Sequence, residues 1–175
     1  MVVKQLSFRD AGDEAKLAAW AVAVGVVDAL VPRRGISEAL RFFRRHMPTL
    51  PPSMAVAFLR ATDLSKPVRC VRVMPGEVLI GYRSWTESQF KLFFTRPGRS
   101  AWNAGLNPAG RRYVRFQVRV PFEALESFAG PAKDTWSMPG REYLALGGAT
   151  QLIVPHSQRR LLIEADSGVA PPHGA

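Results

Sequence analysis

The spacing of apolar residues changes along this chain, and the change limits the fold more than any other feature of the sequence. Before Asp63, apolar residues recur at the three- and four-residue intervals of an α-helix, as they do from Ile36 to Met47. After Pro67 they tend to alternate with polar residues, as on the two faces of a β-strand. Helices first and strands afterwards predict an α+β domain.

Three helices are predicted in residues 1–66. Residues 13–30 are apolar nearly all round, which predicts a helix buried in the domain or against a partner. The second helix is amphipathic, with arginines on its polar side and apolar residues on the other, namely Ile36, Ala39, Leu40, Phe43 and Met47. Prolines end this helix, and Ser53 is placed to cap a third, short helix that runs to Leu59.

The N-terminal apolar run is short. It covers residues 17–27, whereas a membrane-spanning helix needs about 20 apolar residues. Carboxylates at Asp10, Asp13 and Glu14 also balance the nearby cations, so the positively charged start of a secretory signal is missing. The sequence therefore predicts a protein without a membrane span that is cytoplasmic when made.

Seven short strands are predicted after residue 67, with turns rich in Gly and Pro between them. No helix-length segments separate the strands, which favours a curved antiparallel sheet or split β-barrel over a parallel doubly wound sheet. We expect residues 67–165 to form the β-rich core that carries any chemistry, and residues 166–175 to form a disordered tail. The predicted strands are 68–73, 78–83, 90–95, 114–120, 143–146, 151–154 and 161–164, and strict alternation in residues 114–120 predicts that Val114, Phe116, Val118 and Val120 are buried.

The charge of the chain is strongly positive, at +10. Between Glu87 and Glu123 there is no carboxylate, but there are one lysine and six arginines. This stretch should therefore carry a positive electrostatic potential, which would attract phosphate in nucleic acid or in a dinucleotide, or an acidic partner protein. A solvated basic face remains the alternative interpretation.

Common catalytic motifs are absent from the sequence. It contains no Walker loop, no Gly-x-Gly-x-x-Gly fingerprint and no serine elbow. Its three histidines, His46, His156 and His173, are widely spaced, so we expect no metal and no tightly bound cofactor. The single cysteine, Cys70, lies in a strand-like run and is interpreted as part of the core.

Arginines and aromatic residues concentrate in residues 76–100 and give candidate binding residues. Guanidinium groups fork onto phosphate oxygens and aromatic rings stack on flat heterocycles, which are the two needs of a bound dinucleotide. The phenylalanines could instead fill the core, and Arg83 could simply end its strand in solvent. Farther on, Gly147-Gly148 precedes Gln151. The glycines would let a substrate approach the backbone closely, and the Gln151 amide could hydrogen-bond a ribose hydroxyl or an amide. An ordinary hairpin turn is the other interpretation of the two glycines. The candidates in the first segment are Tyr82, Arg83, Ser84, Phe93, Phe94, Thr95 and Arg96.

The order of these elements resembles the toxin domains of bacterial polymorphic and secreted effectors. It is similar to their NAD-consuming branch, which comprises ADP-ribosyltransferases and NAD glycohydrolases like the tuberculosis necrotizing toxin. The resemblance covers residues 67–165 and rests on four elements: Arg83 at a strand end, the aromatic strand with Thr-Arg-Pro-Gly, the alternating strand 114–120, and the late Gly-Gly-Ala-Thr-Gln strand. It implies a split antiparallel core that binds NAD as substrate, a cognate immunity protein, and delivery into a target cell.

The resemblance also implies residue roles. Arg83 would contact the phosphates or a ribose, Phe93 or Phe94 the nicotinamide, Arg96 a phosphate, and Gln151 the nicotinamide ribose. Transferases of this type usually present a glutamate where this chain has glutamine, which favours hydrolysis of the nicotinamide–ribose bond.

Asp134 is the carboxylate nearest to these segments in the sequence, and it could stabilise positive charge on the ribose. The other interpretation is that Asp134 is an ordinary turn residue. Three further functions stay open: ADP-ribosyl transfer to a macromolecule, attack on RNA, and a non-enzymatic basic interaction module.

Overall fold

The computed structural model describes residues 33–84, 92–108, 111–134, 140 and 142–169. The helix predicted over residues 13–30 lies outside them. The described part contains two α-helices, α1 (Arg33–His46) and α2 (Pro52–Arg60), followed by nine strands and one short 3-10 helix (His156–Leu161). No helix in the described part is long and apolar enough to span a membrane.

Helix α1 has the predicted amphipathic character. All five of its predicted core residues are buried, while Arg41 and Arg45 are exposed. Helix α2 begins differently from the prediction: Pro51 is its N-cap residue, Pro52 follows in the first turn, and no side chain caps it. Proline suits this position because the first helical amides have no intrahelical acceptor. Ser53 is therefore not the cap.

Seven strands form one antiparallel sheet in the order β1-β5-β8-β3-β2-β4-β9, and β6 pairs separately with β7. This arrangement confirms the α+β class with a large antiparallel sheet. The strands are β1 (Arg69–Val73), β2 (Val78–Ser84), β3 (Phe93–Thr95), β4 (Arg111–Val118), β5 (Phe122–Phe128), β6 (Ala132–Asp134), β7 (Tyr143–Ala145), β8 (Thr150–Ile153) and β9 (Leu162–Val169).

The connection from β1 to β2 forces the sheet to curve. Three strands lie between these two in the sheet, a distance of roughly 19 Å if the sheet were flat. Yet only residues 74–77 join them, and a hydrogen bond of 3.2 Å from the Glu77 amide to the Met74 carbonyl closes a turn within that link. The sheet therefore curls until β1 approaches β2, and its concave side encloses a core that includes Val73, Leu79 and Phe116.

The convex side of the sheet is covered in two places. Helices α1 and α2 pack against Leu125 and Ile153 at one place, and residues 101–106 pack against Ile80 and Tyr82 at the other. The uncovered area between them is where the candidate site lies.

Several sequence predictions are wrong in detail. Strands β5 and β6 were not predicted, although β5 pairs with both β1 and β8. Strand β4 ends at Val118, so Val120 is 48% exposed rather than buried. Cys70 is exposed rather than part of the core. Residues 166–169, assigned to the tail, pair with β4 as the end of β9.

Candidate functional site

A pocket of about 220 Å³ opens on the convex face, between the sheet, the 101–106 loop and the end of α2. Most of its wall is apolar, and the polar side chains in it come from three adjacent strands. The lining residues are Ala61, Tyr82, Phe93, Phe94, Thr95, Ala104, Gly105, Leu106, Gly130, Ala132 and Gln151.

Strand register brings the polar side chains together. Thr95 on β3 lies directly opposite Gln151 on β8 and also opposite Ile80 on β2. Tyr82 is two residues beyond Ile80, so it points to the same face of the sheet. Five predicted site residues thus meet at one pocket, since Phe93 and Phe94 also line it.

Gln151 is held in one orientation. Its amide nitrogen donates to the Ala61 carbonyl at 3.2 Å and to the Ser127 hydroxyl at 3.2 Å, and it lies 3.4 Å from the Thr62 hydroxyl. Because a backbone carbonyl only accepts, the nitrogen must face Ala61 and the side-chain oxygen must face the other way. Within the described residues, no hydrogen bond to that oxygen is present.

Thr95 carries a buried hydroxyl that no described residue satisfies. The residue is 3% exposed and its Oγ1 has no hydrogen-bond partner. Leaving a hydroxyl buried and unsatisfied costs about 1–3 kcal/mol. A group kept at that cost in the wall of a pocket is a candidate for contact with a ligand.

Tyr82 contributes its ring rather than an acidic hydroxyl. The phenol donates a hydrogen bond to the Arg99 carbonyl, and burial raises the pKa of Tyr82 to about 12. The phenol therefore stays protonated at neutral pH. Its hydrogen bond ties the pocket to the loop that follows β3.

The Gly147-Gly148 turn supports the pocket instead of leaving room for a ligand. Gly147 has φ of +70°, and a Cβ there would lie 2.4 Å from the carbonyl oxygen of Gly130, a pocket residue. The Gly148 amide donates to the Ala129 carbonyl at 2.8 Å. Here glycine permits close approach of the protein's own backbone, and not of substrate as the sequence suggested.

Arg83 does not share a cleft with Gln151, so this part of the prediction is wrong. It follows Tyr82 on β2 and therefore points to the opposite, concave face of the sheet. There its guanidinium lies 5.6 Å from the centre of the Phe116 ring and 3.2 Å from a carboxylate oxygen of Glu164. Burial, and then the charge of Arg83, lower the pKa of Arg159 to about 10. These arginines form a crowded positive cluster away from the pocket.

Arg96 belongs to a second, polar depression of about 500 Å³. Its guanidinium pairs with Glu77 and lies 3.6 Å from Glu126. Arg99 lines the same depression, and its carbonyl receives the hydrogen bond from Tyr82. The Tyr82 hydrogen bond thus links one residue of each concavity. Thr150, which lines the depression, alternates with Gln151 along β8 and belongs to the other face of the sheet.

The remaining predicted residues have mixed positions. Phe93 packs edge-on against Phe58 at 5.2 Å, so it serves the helix-packed core as well as the pocket. Phe94 packs edge-on against Phe116 at 5.5 Å in the concave core. Ser84 ends β2 and Asp134 ends β6, two residues beyond the pocket residues Tyr82 and Ala132.

Some residues of the site could not be found from sequence. Ala61, Thr62 and Ser127 fix the orientation of Gln151, yet they lie 90, 89 and 24 positions from it. Nothing in their local sequence signals this role, because the contacts depend on how α2 meets the sheet.

Three comparisons with known proteins bear on the family. Residues 16–161 match the Ntox46 family model, Bacterial toxin 46. The chain is 30% identical over 139 residues to the NAD(P)(+) glycohydrolase toxin Tse6 of Pseudomonas aeruginosa, covering 73% of this chain and 32% of Tse6. The chain thus spans about a third of that relative's length.

The fold also matches solved structures. Tse6 in complex with Tsi6 matches with a TM-score of 0.60 at 22% identity, covering 78% of this chain and 98% of that one. Rhs1-CT in complex with its cognate immunity protein RhsI1 matches with a TM-score of 0.43 at 16% identity, covering 60% of this chain and 83% of that one. The first of these supports the fold alone. Because the family model and the 30% identical relative each cover most of the chain, the protein belongs to the Bacterial toxin 46 family.

Proposed function

We propose that this chain is a bacterial effector toxin domain that hydrolyses NAD at the nicotinamide–ribose bond, with the convex-face pocket as its nicotinamide site. The observation that carries the proposal is that Thr95 and Gln151 line one apolar pocket, and that the Thr95 hydroxyl and the Gln151 side-chain oxygen both lack a hydrogen-bond partner among the described residues. Membership of a toxin family, with a relative named as an NAD(P)(+) glycohydrolase, supports the same substrate.

The size of the pocket favours one ring over a whole dinucleotide. Pockets that enclose drug-sized ligands usually measure about 300–1,000 Å³. At about 220 Å³, this one suits the nicotinamide ring while the rest of NAD lies outside it. The rings of Tyr82 and Phe93 in the wall provide apolar surface for that ring.

The polar groups suit the carboxamide and ribose of the substrate. A threonine hydroxyl both donates and accepts, so Thr95 is able to bind either end of a carboxamide. The fixed amide nitrogen of Gln151 leaves its oxygen to face the ribose. In an apolar pocket a carbonyl dipole stabilises nearby positive charge more strongly than it does in water.

The bond breaks with its electron pair moving to the nicotinamide nitrogen, which neutralises the pyridinium ring and leaves positive charge on the ribose. Water then adds to the ribose carbon and releases a proton, giving nicotinamide and ADP-ribose. The leaving nicotinamide is neutral and needs no general acid, and the ribose cation is electrophilic enough to accept water without a strong general base. We assign Gln151 to stabilise the ribose cation, and Asp134, on strand β6, to assist the incoming water or that cation.

The depression around Arg96 and Arg99 is proposed to take the phosphates. Arg99 is exposed beside Arg96 and is joined to the pocket through the Tyr82 hydrogen bond. Exposed guanidinium groups bind phosphate oxygens well. Arg83 is left out of this assignment because it lines neither the pocket nor this depression.

The resemblance to effector toxins extends the proposal to its biology. We infer an ADP-ribosyltransferase-like split core, a cognate immunity protein that neutralises the domain, and delivery into the cytosol of a target cell. ADP-ribosyl transfer to a macromolecule is the alternative reaction at the same pocket. Two further alternatives need no such pocket: a toxin that acts on RNA, and a non-enzymatic module whose basic surface binds a partner.

The test is release of nicotinamide from NAD by the purified chain, followed by chromatography. Gln151→Ala should lower the rate by about 100-fold, the loss usual when one preorganised electrostatic contact is removed. Gln117→Ala makes the same change at an exposed position of β4 and should retain full rate.

Two other outcomes separate the alternatives. Nicotinamide release accompanied by label from NAD on protein or nucleic acid would identify a transferase. No release by the unaltered chain, together with RNA binding at moderate salt, would exclude the NAD proposal.

A further inference from the structure

Three potential metal ligands of different chemistry converge outside the pocket. They are His46 at the end of α1, Cys70 on β1 and Glu123 on β5. Their ligand atoms all lie within 4.8 Å of one another, and the Nε2 of His46 is 3.1 Å from an Oε of Glu123. The sequence alone predicts no metal because its histidines are far apart, but the fold adds two non-histidine ligands to one of them.

The sheet register explains why Cys70 and Glu123 meet. Arg72 is directly opposite Glu123 across the β1–β5 ladder, and Cys70 is two residues from Arg72. Cys70 and Glu123 are therefore diagonal neighbours on one face, within reach of each other's side chains. Helix α1 packs on that same face, which brings its last residue, His46, above the pair.

We propose that His46, Cys70 and Glu123 form a zinc site that joins the end of α1 to the β1–β5 edge of the sheet. Zinc prefers nitrogen, sulfur and carboxylate oxygen in tetrahedral geometry, at about 2.0–2.3 Å from each ligand atom. Ligand atoms around such an ion are roughly 3.4 Å apart, so the three side chains close on it by shifts of about 1 Å. The fourth position is left to water.

The surroundings are compatible with a cation. The C-terminal end of a helix carries partial negative charge, which favours a cation at His46. Arg45 lies 4.0 Å from Glu123, and its side chain is 73% exposed and can turn into solvent; Arg72, opposite Glu123 across the ladder, is also exposed. His46 is held in place by its ring, whose centre lies 4.6 Å from that of Phe42.

A redox role for the cysteine fits less well. Burial, followed by the charges of Glu123 and Glu38, raises the pKa of the Cys70 thiol, so without a metal the thiol is not a reactive thiolate. A divalent ion displaces the thiol proton and changes that balance.

Binding of zinc and cobalt to the full chain, first stripped with a chelator, tests the proposal. We expect one equivalent of zinc by equilibrium dialysis, and cobalt to give both thiolate charge-transfer and tetrahedral absorption bands. Zinc at about 100 times its dissociation constant should raise the Tm by roughly 5–10 °C. Magnesium should leave the Tm unchanged.

Variants locate the site. Cys70→Ser is nearly isosteric at an exposed position, so it should fold, abolish the thiolate band and weaken zinc binding by at least about tenfold. Glu123→Gln should also weaken binding, whereas His156→Gln, at an exposed histidine elsewhere, should not. Failure of the unaltered chain to bind a stoichiometric ion, or equal binding by Cys70→Ser, would overturn the proposal. Neither result depends on NAD cleavage.

Discussion

Replacing Thr95 by valine should make the protein more stable and less active. Valine has the same branched shape and an equal preference for strands, so the change removes little more than the hydroxyl. That hydroxyl is buried and lacks a partner in the described structure, and relieving it should raise the free energy of unfolding by about 1 kcal/mol, at the low end of the usual penalty. For a chain of this size, the Tm should rise by roughly 2–4 °C.

The activity should change in the opposite direction. If the hydroxyl binds the carboxamide of NAD, its loss removes one neutral hydrogen bond, worth about 1–1.5 kcal/mol. The value of kcat/KM for nicotinamide release should then fall roughly 5- to 12-fold. A gain in stability coupled to a loss of activity is expected at a site built for ligand binding rather than for folding.

Thermal unfolding and steady-state kinetics measure the two effects separately. Thr62→Val is the stability control, because the Thr62 hydroxyl donates to the Phe58 carbonyl at 2.9 Å and its loss should lower the Tm. A Thr95→Val protein with a lower Tm than the unaltered chain would contradict the claim that the Thr95 hydroxyl is buried without a hydrogen-bond partner. Unchanged kcat/KM would remove Thr95 from the binding site.

Two further predictions concern the support of the pocket. Gly147→Ala should lower the free energy of unfolding in urea by more than about 2 kcal/mol, because the added Cβ would clash with the Gly130 carbonyl oxygen. Gly76→Ala is the control, since Gly76 has a φ of +88° but no atom within 4 Å of an added Cβ, and it should cost only about 1–2 kcal/mol. Equal losses in the two variants would refute the predicted clash at Gly147. The pKa of Tyr82 is raised to about 12 from its ordinary value of 10, so its stabilising effect is complete below pH 10 and is lost as the pH rises to 12. The unaltered protein should therefore lose stability between pH 10 and 12 faster than the Tyr82→Phe protein does, and parallel stability profiles would contradict a buried phenol with a raised pKa.

The predictions that held rest on local patterns. Ile36, Leu40 and Phe43 share one side of a helix whatever surrounds it, so their burial follows from spacing alone. Alternation in the same way gave the burial of Val114, Phe116 and Val118. Thr95 and Gln151 line one pocket, and their functional roles stay predictions.

The predictions that failed depended on partners distant in sequence. Strand β5 contains Glu123, Ala124, Leu125 and Glu126, residues common in helices, and it is a strand because β1 and β8 hydrogen-bond to its two edges. Arg83 was grouped with Gln151 by sequence, although strand alternation places them on opposite faces once the register is known.

The sequence by itself determined the class of the fold and the kinds of group available for chemistry, because the period of apolar residues and the side-chain types are local properties. The tertiary structure decided which of those groups meet. Register and sheet curvature placed Tyr82, Thr95 and Gln151 in one pocket, and the packing of α1 brought His46 to Glu123. Both outcomes depend on contacts between distant segments, and no short window of the sequence encodes such contacts.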